Sequence, residues 1–279
     1  MSLRAFEGGL LWKRDRELRL VDGALESRVL FGANGGITAW CCDGERVFVV
    51  SGEKRLCVLA GGDVVLECET ERRVVFLVAA GCWLFAGLIS GDVFRYDKRL
   101  ENRKRCYGHF VAPSCAAAID GLLFTADVLG RVFCYHMQKE TLHYVLLEHS
   151  ESVFFLGAVG TGLVSVSGKK VVLWNAEKIA EGNRKYNTQA VVRRELETEG
   201  RIEAARTDGN RLWCFSDTEA FYLDTPHGEA QTCTGLSGKG EVTGMAAWNG
   251  RTFFAAGNTL WEIKEKGVGF EALERVLEK

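Results

Sequence analysis

The chain has 279 residues, with 35 Lys and Arg against 37 Asp and Glu, a formal charge of −2, and 47% apolar residues. That balance excludes a strongly basic, autonomous nucleic-acid binder, whose affinity rests on an excess of cations facing phosphate. No stretch approaches the ~18 uninterrupted apolar residues of a spanning helix, and the opening MSLRAFEGGLLWKRDRE lacks the apolar run of a signal peptide.

From the N-terminus onward one phrase returns seven times: an apolar run, a Gly or Asp turn, then an alternating run that closes on a large apolar residue. The phrases are LLWKRDRELRL, VFVVSGEKRLCVL, LFAGLISGDVFRY, LFTADVLGRVFCY, LVSVSGKKVVLW, LWCFSDTEAFYL and TFFAAGNTLWEI. They end at Leu20, Leu59, Tyr96, Tyr135, Trp174, Leu223 and Ile263, spaced by 39, 37, 39, 39, 49 and 40 residues. A four-stranded sheet of about 40 residues cannot bury both of its faces alone and must stack on neighbours. The pattern therefore predicts an all-β chain folded as one seven-bladed β-propeller, with blades near 1–34, 35–71, 72–109, 110–149, 150–200, 201–239 and 240–279. Two prolines and 32 glycines suit such a hairpin-rich body.

The first blade takes its inner strand from the N-terminus itself. In the fourth, Ala116–Ile119, Leu122–Ala126, Arg131–His136 and Leu142–Leu147 are the expected strands, inner to outer. The fifth is long, and its excess, 175–195, is expected to be an extended surface loop. In the seventh, Phe270, Leu273, Val276 and Leu277 mark one face of a helix as well as they fit a strand. A closing strand is preferred, because an open ring leaves an unpaired edge.

Chemistry-bearing motifs are sparse. The ten cysteines show no C-x-x-C, and Cys57, Cys82, Cys134 and Cys214 fall in strand-like runs where a thiol acts as a small hydrophobe. Structural free thiols favour a reducing compartment, the nucleus or cytoplasm. His109, His136, His143, His149 and His227 form no ligand spacing with one another. The SGKK at 167–170 and SGKG at 237–240 lack the rest of a phosphate loop and read as turns. No catalytic residue, metal or cofactor is expected. Two basic groups remain: Lys98, Arg99, Arg103, Lys104 and Arg105, and a second made of Lys169, Lys170, Lys178, Arg184 and Lys185 with Arg193 and Arg194. Either they are solvated loop charges or they touch phosphates weakly beside a protein partner.

Gly108-His109, the partial Glu148-His149, and the near Trp-Asp pairs Tyr96-Asp97 and Trp174-Asn175 resemble the WD-repeat grammar, in which a Gly-His before the inner strand joins a Trp-Asp ending the third. Over 90–178 the order SGDVFRYD, YGHFVAPSCAAAIDGLLFTADVLGRVFCYH, LLEHSESVFFL and GLVSVSGKKVVLWNAEK resembles, more narrowly, the non-catalytic WD-repeat subunit of the tRNA (guanine-N7) methyltransferase. Two departures accompany it. Val128-Leu129-Gly130-Arg131 follows the Thr-Ala-Asp where that family continues with charged residues, and Phe155 stands where it has a basic one. The resemblance implies a partner, the catalytic subunit that binds S-adenosylmethionine, in a heterodimer that meets tRNA indirectly or weakly and no membrane. It places docking on Arg131, Glu148, His149, Glu151, Phe154 and Phe155, and an RNA-facing patch on Lys98, Arg103, Lys104 and Arg105. For Phe154 and Phe155, inner-strand core is the competing assignment. The rival reading is a generic WD-repeat scaffold in a ribosome-bound, coat, nuclear-pore or chromatin complex.

Overall fold

The computed structural model describes residues 3–6, 9–14, 16–106, 108–182, 191–216, 220–224, 230–233, 242–249, 251–256, 259–266 and 269–275. Within these lie seven four-stranded sheets, each a meander of strands consecutive in sequence, and together they form a seven-bladed β-propeller. The blades span 3–32, 37–69, 74–106, 113–146, 155–197, 202–233 and 242–275.

The seven phrase-ending residues all fall in third strands. Leu59 lies opposite Val47, Tyr96 opposite Leu84, Tyr135 opposite Leu123 and Trp174 opposite Leu163. In blades two to five the repeat in the sequence is thus one cross-strand apolar pair, whereas in blade seven Ile263 lies opposite Thr252.

The chain divides into two compact units, Thr38–Thr198 and a second made of Met1–Ile37 with Glu199–Lys279. In the first, successive residues of one strand serve different neighbours. Leu123 joins Phe76, Phe85 and Val93 of blade three, whereas Phe124 joins Leu156, Leu163 and Trp174 of blade five. Side chains alternate across a strand, so a blade packed on both faces needs an unbroken apolar run; Leu122–Asp127 is accordingly buried at every position. Between blades two and three the same role falls to Phe48, Val58, Leu77 and Leu84. The second unit repeats the device. Phe253 packs with Leu10 and Trp12 of blade one, and Phe254 with Trp213 and Tyr222 of blade six. Each such Phe or Leu contributes about 1.5–3 kcal/mol by leaving water.

Blade one does take its inner strand, Leu3–Phe6, from the N-terminal segment, and the last strand of blade seven, Gly269–Arg275, pairs antiparallel with Thr259–Lys266. Residues 276 and 277 of that expected strand lie outside the described residues. Blade five corrects the expectation of an extended loop. Asn175 accepts a hydrogen bond from the Lys178 N–H and starts a short helix, Ala176–Glu181, whose Ala176 and Ile179 are buried. Val192–Glu197 is already the outer strand, so Arg193 and Arg194 belong to a sheet, while Arg184 and Lys185 lie outside the described residues. Cys82 also differs, sitting exposed in the turn after Val74–Ala80 rather than in a strand.

Two equivalent turns fasten adjacent blades. Gly91 and Gly130 have φ of +98° and +85°, and a Cβ on them would stand 2.2 Å from the His109 carbonyl oxygen and 2.5 Å from that of His149. Gly121 shares the left-handed backbone, at φ +80°, but nothing lies within 4 Å of its missing side chain. Gly130→Ala is expected to cost about 2–4 kcal/mol, strain plus clash, against about 1 kcal/mol for Gly121→Ala. Urea unfolding of the two variants measures that difference, and equal losses would show that the carbonyl contact is unimportant.

Candidate functional site

Most buried polar groups of blades four and five are consumed by two matched networks. In blade four His109 places Nδ1 3.1 Å from the Asp127 carboxylate and Nε2 2.8 Å from the Thr125 hydroxyl, which also bonds Tyr135. Forty residues on, His149 places Nδ1 2.8 Å from Ser167 and Nε2 2.6 Å from Ser165, which accepts the Trp174 indole N–H at 2.8 Å. A neutral imidazole, donating from Nδ1 and accepting at Nε2, satisfies every member of either chain. The acid of the blade-four network is Asp127, the last residue of the second strand, and not Asp97. Asp97 instead accepts the backbone N–H groups of Arg99, Glu101 and Asn102. The FTAD run held that signal, since Thr125 and Asp127 are two apart and face the same side of one strand.

These networks are structural. Burial pulls the His149 pKa down to about 4, with nearby Lys170 adding to the effect. Burial alone would raise the Asp127 carboxyl, but hydrogen bonds from His109, Arg131 and the Arg131 backbone N–H outweigh it and hold the pKa below its usual value. Among the described residues no three His, Cys, Asp or Glu side chains gather as metal ligands.

The expected docking residues are not all surface. Phe155 is buried in the inner strand of blade five, Phe155–Val159, and Phe154 is half-buried just before it. His149 is buried too, in its hydrogen-bond network. Arg131 bonds Asp127 through Nε at 2.8 Å, Glu148 is half-buried, and Glu151 is exposed.

The expected RNA-facing cations are each held by a carboxylate. Lys98 pairs with Asp43, Arg103 with Glu71 at 2.6 Å while lying 3.9 Å over the Phe94 ring, Lys104 with Glu140, and Arg105 with Asp92 at 2.5 Å. Three of these pairs tie blade three to a neighbouring blade or to the segment entering it. Such surface and partly exposed pairs add little stability individually, but they offset much of the patch's charge.

What the residue pattern did not single out is an apolar rim. Ile89 donates its N–H to the Arg73 carbonyl and Val128 to that of Ala112, while Gly91 and Gly130 press against the carbonyls of His109 and His149. The turns after the second strands of blades three and four therefore lie against the segments entering blades three, four and five. On them stand Ile89, Phe110, Val128, Leu129 and Leu147, with Phe110 90% exposed. Single exposed apolar residues are ordinary; a run of them across adjoining turns marks an interaction surface. The clue in the sequence was Phe110 itself, an aromatic placed directly after Gly108-His109, outside any strand.

The buried imidazole makes a pH prediction. Its folded pKa lies below the unfolded value of about 6.5, so its neutral form stabilises the fold fully above that pH and loses the contribution as pH falls toward 4. The loss amounts to about 3 kcal/mol at most. Asp127, held low, adds its own loss only below the carboxylate range. Thermal unfolding between pH 7.5 and 4.5 should show a slope that His149→Asn flattens; an unchanged slope would assign the window to other groups.

No family model and no curated protein matches the chain. Among solved structures it is similar to a chain in "Crystal Structure of Mitotic Checkpoint Complex", with a TM-score of 0.77 and 13% identity over 99% of this chain and 87% of that one. It is also similar to the computationally designed Ika8 protein, with a TM-score of 0.68 and 14% identity over 95% and 82%. At such identities the likeness is one of fold. Seven meander sheets and these likenesses establish the fold as a seven-bladed β-propeller.

Proposed function

We propose that the chain is a non-catalytic scaffold that grips a partner protein with the rim of blades three and four. The carrying observation is Phe110, 90% exposed on a segment whose backbone bonds both the turn after Ile89 and the turn of Val128 and Leu129. A large rigid aromatic on an apolar rim has the make-up of a binding hot spot. The flanking ions Arg131 and Arg105 are neutralised by Asp127 and Asp92, which lowers the cost of covering this surface. A rigid scaffold changes a partner's activity only by binding one of its states better, and a difference of about 1.4 kcal/mol shifts that balance tenfold.

The partner class implied by the resemblance over 90–178 is the catalytic subunit of a tRNA (guanine-N7) methyltransferase, with S-adenosylmethionine on that subunit and the complex in the nucleus or cytoplasm. Supporting it is the order of motifs, Ser-Gly-Asp-Val, Gly-His and Thr-Ala-Asp, across consecutive blades. In this reading Val128 and Leu129, which replace charged residues of that family, supply apolar contact in their place. Lys98, Arg103, Lys104 and Arg105 are each already paired with a carboxylate, so tRNA contact through them is weak.

Phe110→Ser together with Leu129→Ser is expected to reduce recovery of the co-purifying partner at least about tenfold, with the unfolding temperature unchanged. Undiminished recovery would remove the rim from the interface. If the co-purifying protein is the methyltransferase subunit, deleting this chain should also deplete guanine-N7 methylation of tRNA. A ribosomal, coat, nuclear-pore or chromatin partner set would exclude the methyltransferase reading and leave the scaffold intact.

A further inference from the structure

A cavity of about 110 Å³ opens between blades three and four, lined by Phe85, Cys106, Tyr135, His136 and Met137 and by the cations Arg95, Lys104 and Arg105 with Glu140. It sits by the turn that follows the third strand of blade four, Val132–His136, and so at the opposite end of that strand from Val128 and Leu129. The scaffold reading uses the outer charges of Lys104 and Arg105 but not the cavity itself.

Its charges do not balance. Arg95 Nη1 reaches Glu140 at 2.5 Å and Lys104 Nζ bonds the same carboxylate, so two cations share one anion. Arg95 is the interior member, with its side chain 12% exposed and its guanidinium 3.8 Å over the Trp83 ring. That stacking fixes the plane of the group. Its Nε–H is buried and has no acceptor among the described residues, although leaving a buried donor unpaired is costly. Lys104 retains two further N–H donors beyond the one given to Glu140. The site is short of one acceptor-rich anion, and its walls are apolar.

We propose that this cavity binds a carboxylate carried on a short, branched aliphatic stem. The carboxylate takes the spare donors of Arg95 and Lys104, and the stem lies against Phe85, Tyr135 and Met137. The volume admits a stem of three or four carbons. A phosphate would bring more charge than two half-satisfied cations neutralise and nothing to cover the apolar walls. The same chemistry has two sources, a free short-chain acid or the C-terminal carboxylate of a Val or Leu that ends a polypeptide.

The methionines provide the readout. Met137 lines the cavity, whereas Met245 is buried between blades six and seven and serves as an internal control. With the full chain labelled at its methionine methyl groups, the probes are isovalerate, isovaleramide, N-acetyl-Gly-Leu and its C-terminal amide. The Met137 methyl resonance should shift with isovalerate at a Kd on the order of millimolar, while Met245 stays in place. Glu140→Gln, which removes the competing anion, should tighten binding several-fold, and Lys104→Met should weaken it at least about tenfold. A response to isovalerate supports a free acid; a response confined to the peptide acid supports a chain terminus. Equal response to the amides, no response to either acid up to about 50 mM, or Glu140→Gln binding no better than the parent chain overturns the proposal. None of these measurements touches the rim, so they succeed or fail independently of partner docking there.

Discussion

Burial on both faces of every sheet is the constraint from which the rest of this molecule follows. A strand sends successive side chains to opposite sides, so a sheet with water on one face alternates apolar and polar residues. The second strands here do not alternate. Leu123 and Phe124, or Phe253 and Phe254, point in opposite directions and each meets another blade. Such a strand can be desolvated only by stacking. Stacking in turn forces any polar group in these layers to find a partner inside the sheet or at its end.

The two histidine networks show how that demand is met without chemistry. His109 and His149 each bridge a second-strand hydroxyl and a group two residues further along the chain. That group is a carboxylate in one blade and a hydroxyl in the next. The ring nitrogens and hydroxyls are already engaged with one another, so neither imidazole is poised to act on a substrate. The basic residues of blade three behave alike. Their positions look like a phosphate footprint in one dimension, yet Asp43, Glu71, Asp92 and Glu140 reach them from neighbouring turns and blades. Charge that reads as excess along the chain is balanced once distant segments meet.

What remains available is surface of two kinds. The turns of blades three and four carry apolar side chains that no blade covers, with Phe110 foremost, and they suit a broad protein contact. The cavity by the other end of blade four is narrow, cationic at one wall and apolar at the others, and suits a small acid group. Both lie in the stretch where the repeat is most regular. There the inner framework is held by the glycines at 91 and 130 and by the histidine networks, which leaves the loop side chains free to diverge.

The residues alone sufficed for the seven blades, their meander order and most strand positions, because each blade is a local unit whose phrase of apolar run, turn and alternating run is written contiguously. Gly108-His109 and Thr125-x-Asp127 were legible for the same reason, being short and fixed in register. The tertiary structure decided what depends on neighbours. It showed that Asp127 rather than Asp97 meets His109, that Phe155 is core while Phe110 is exposed, and that Glu140, 36 residues from Lys104, closes an ion pair on it. Burial and pairing are properties of the stacked sheets, set by which blade lies against which turn, and no single repeat contains them.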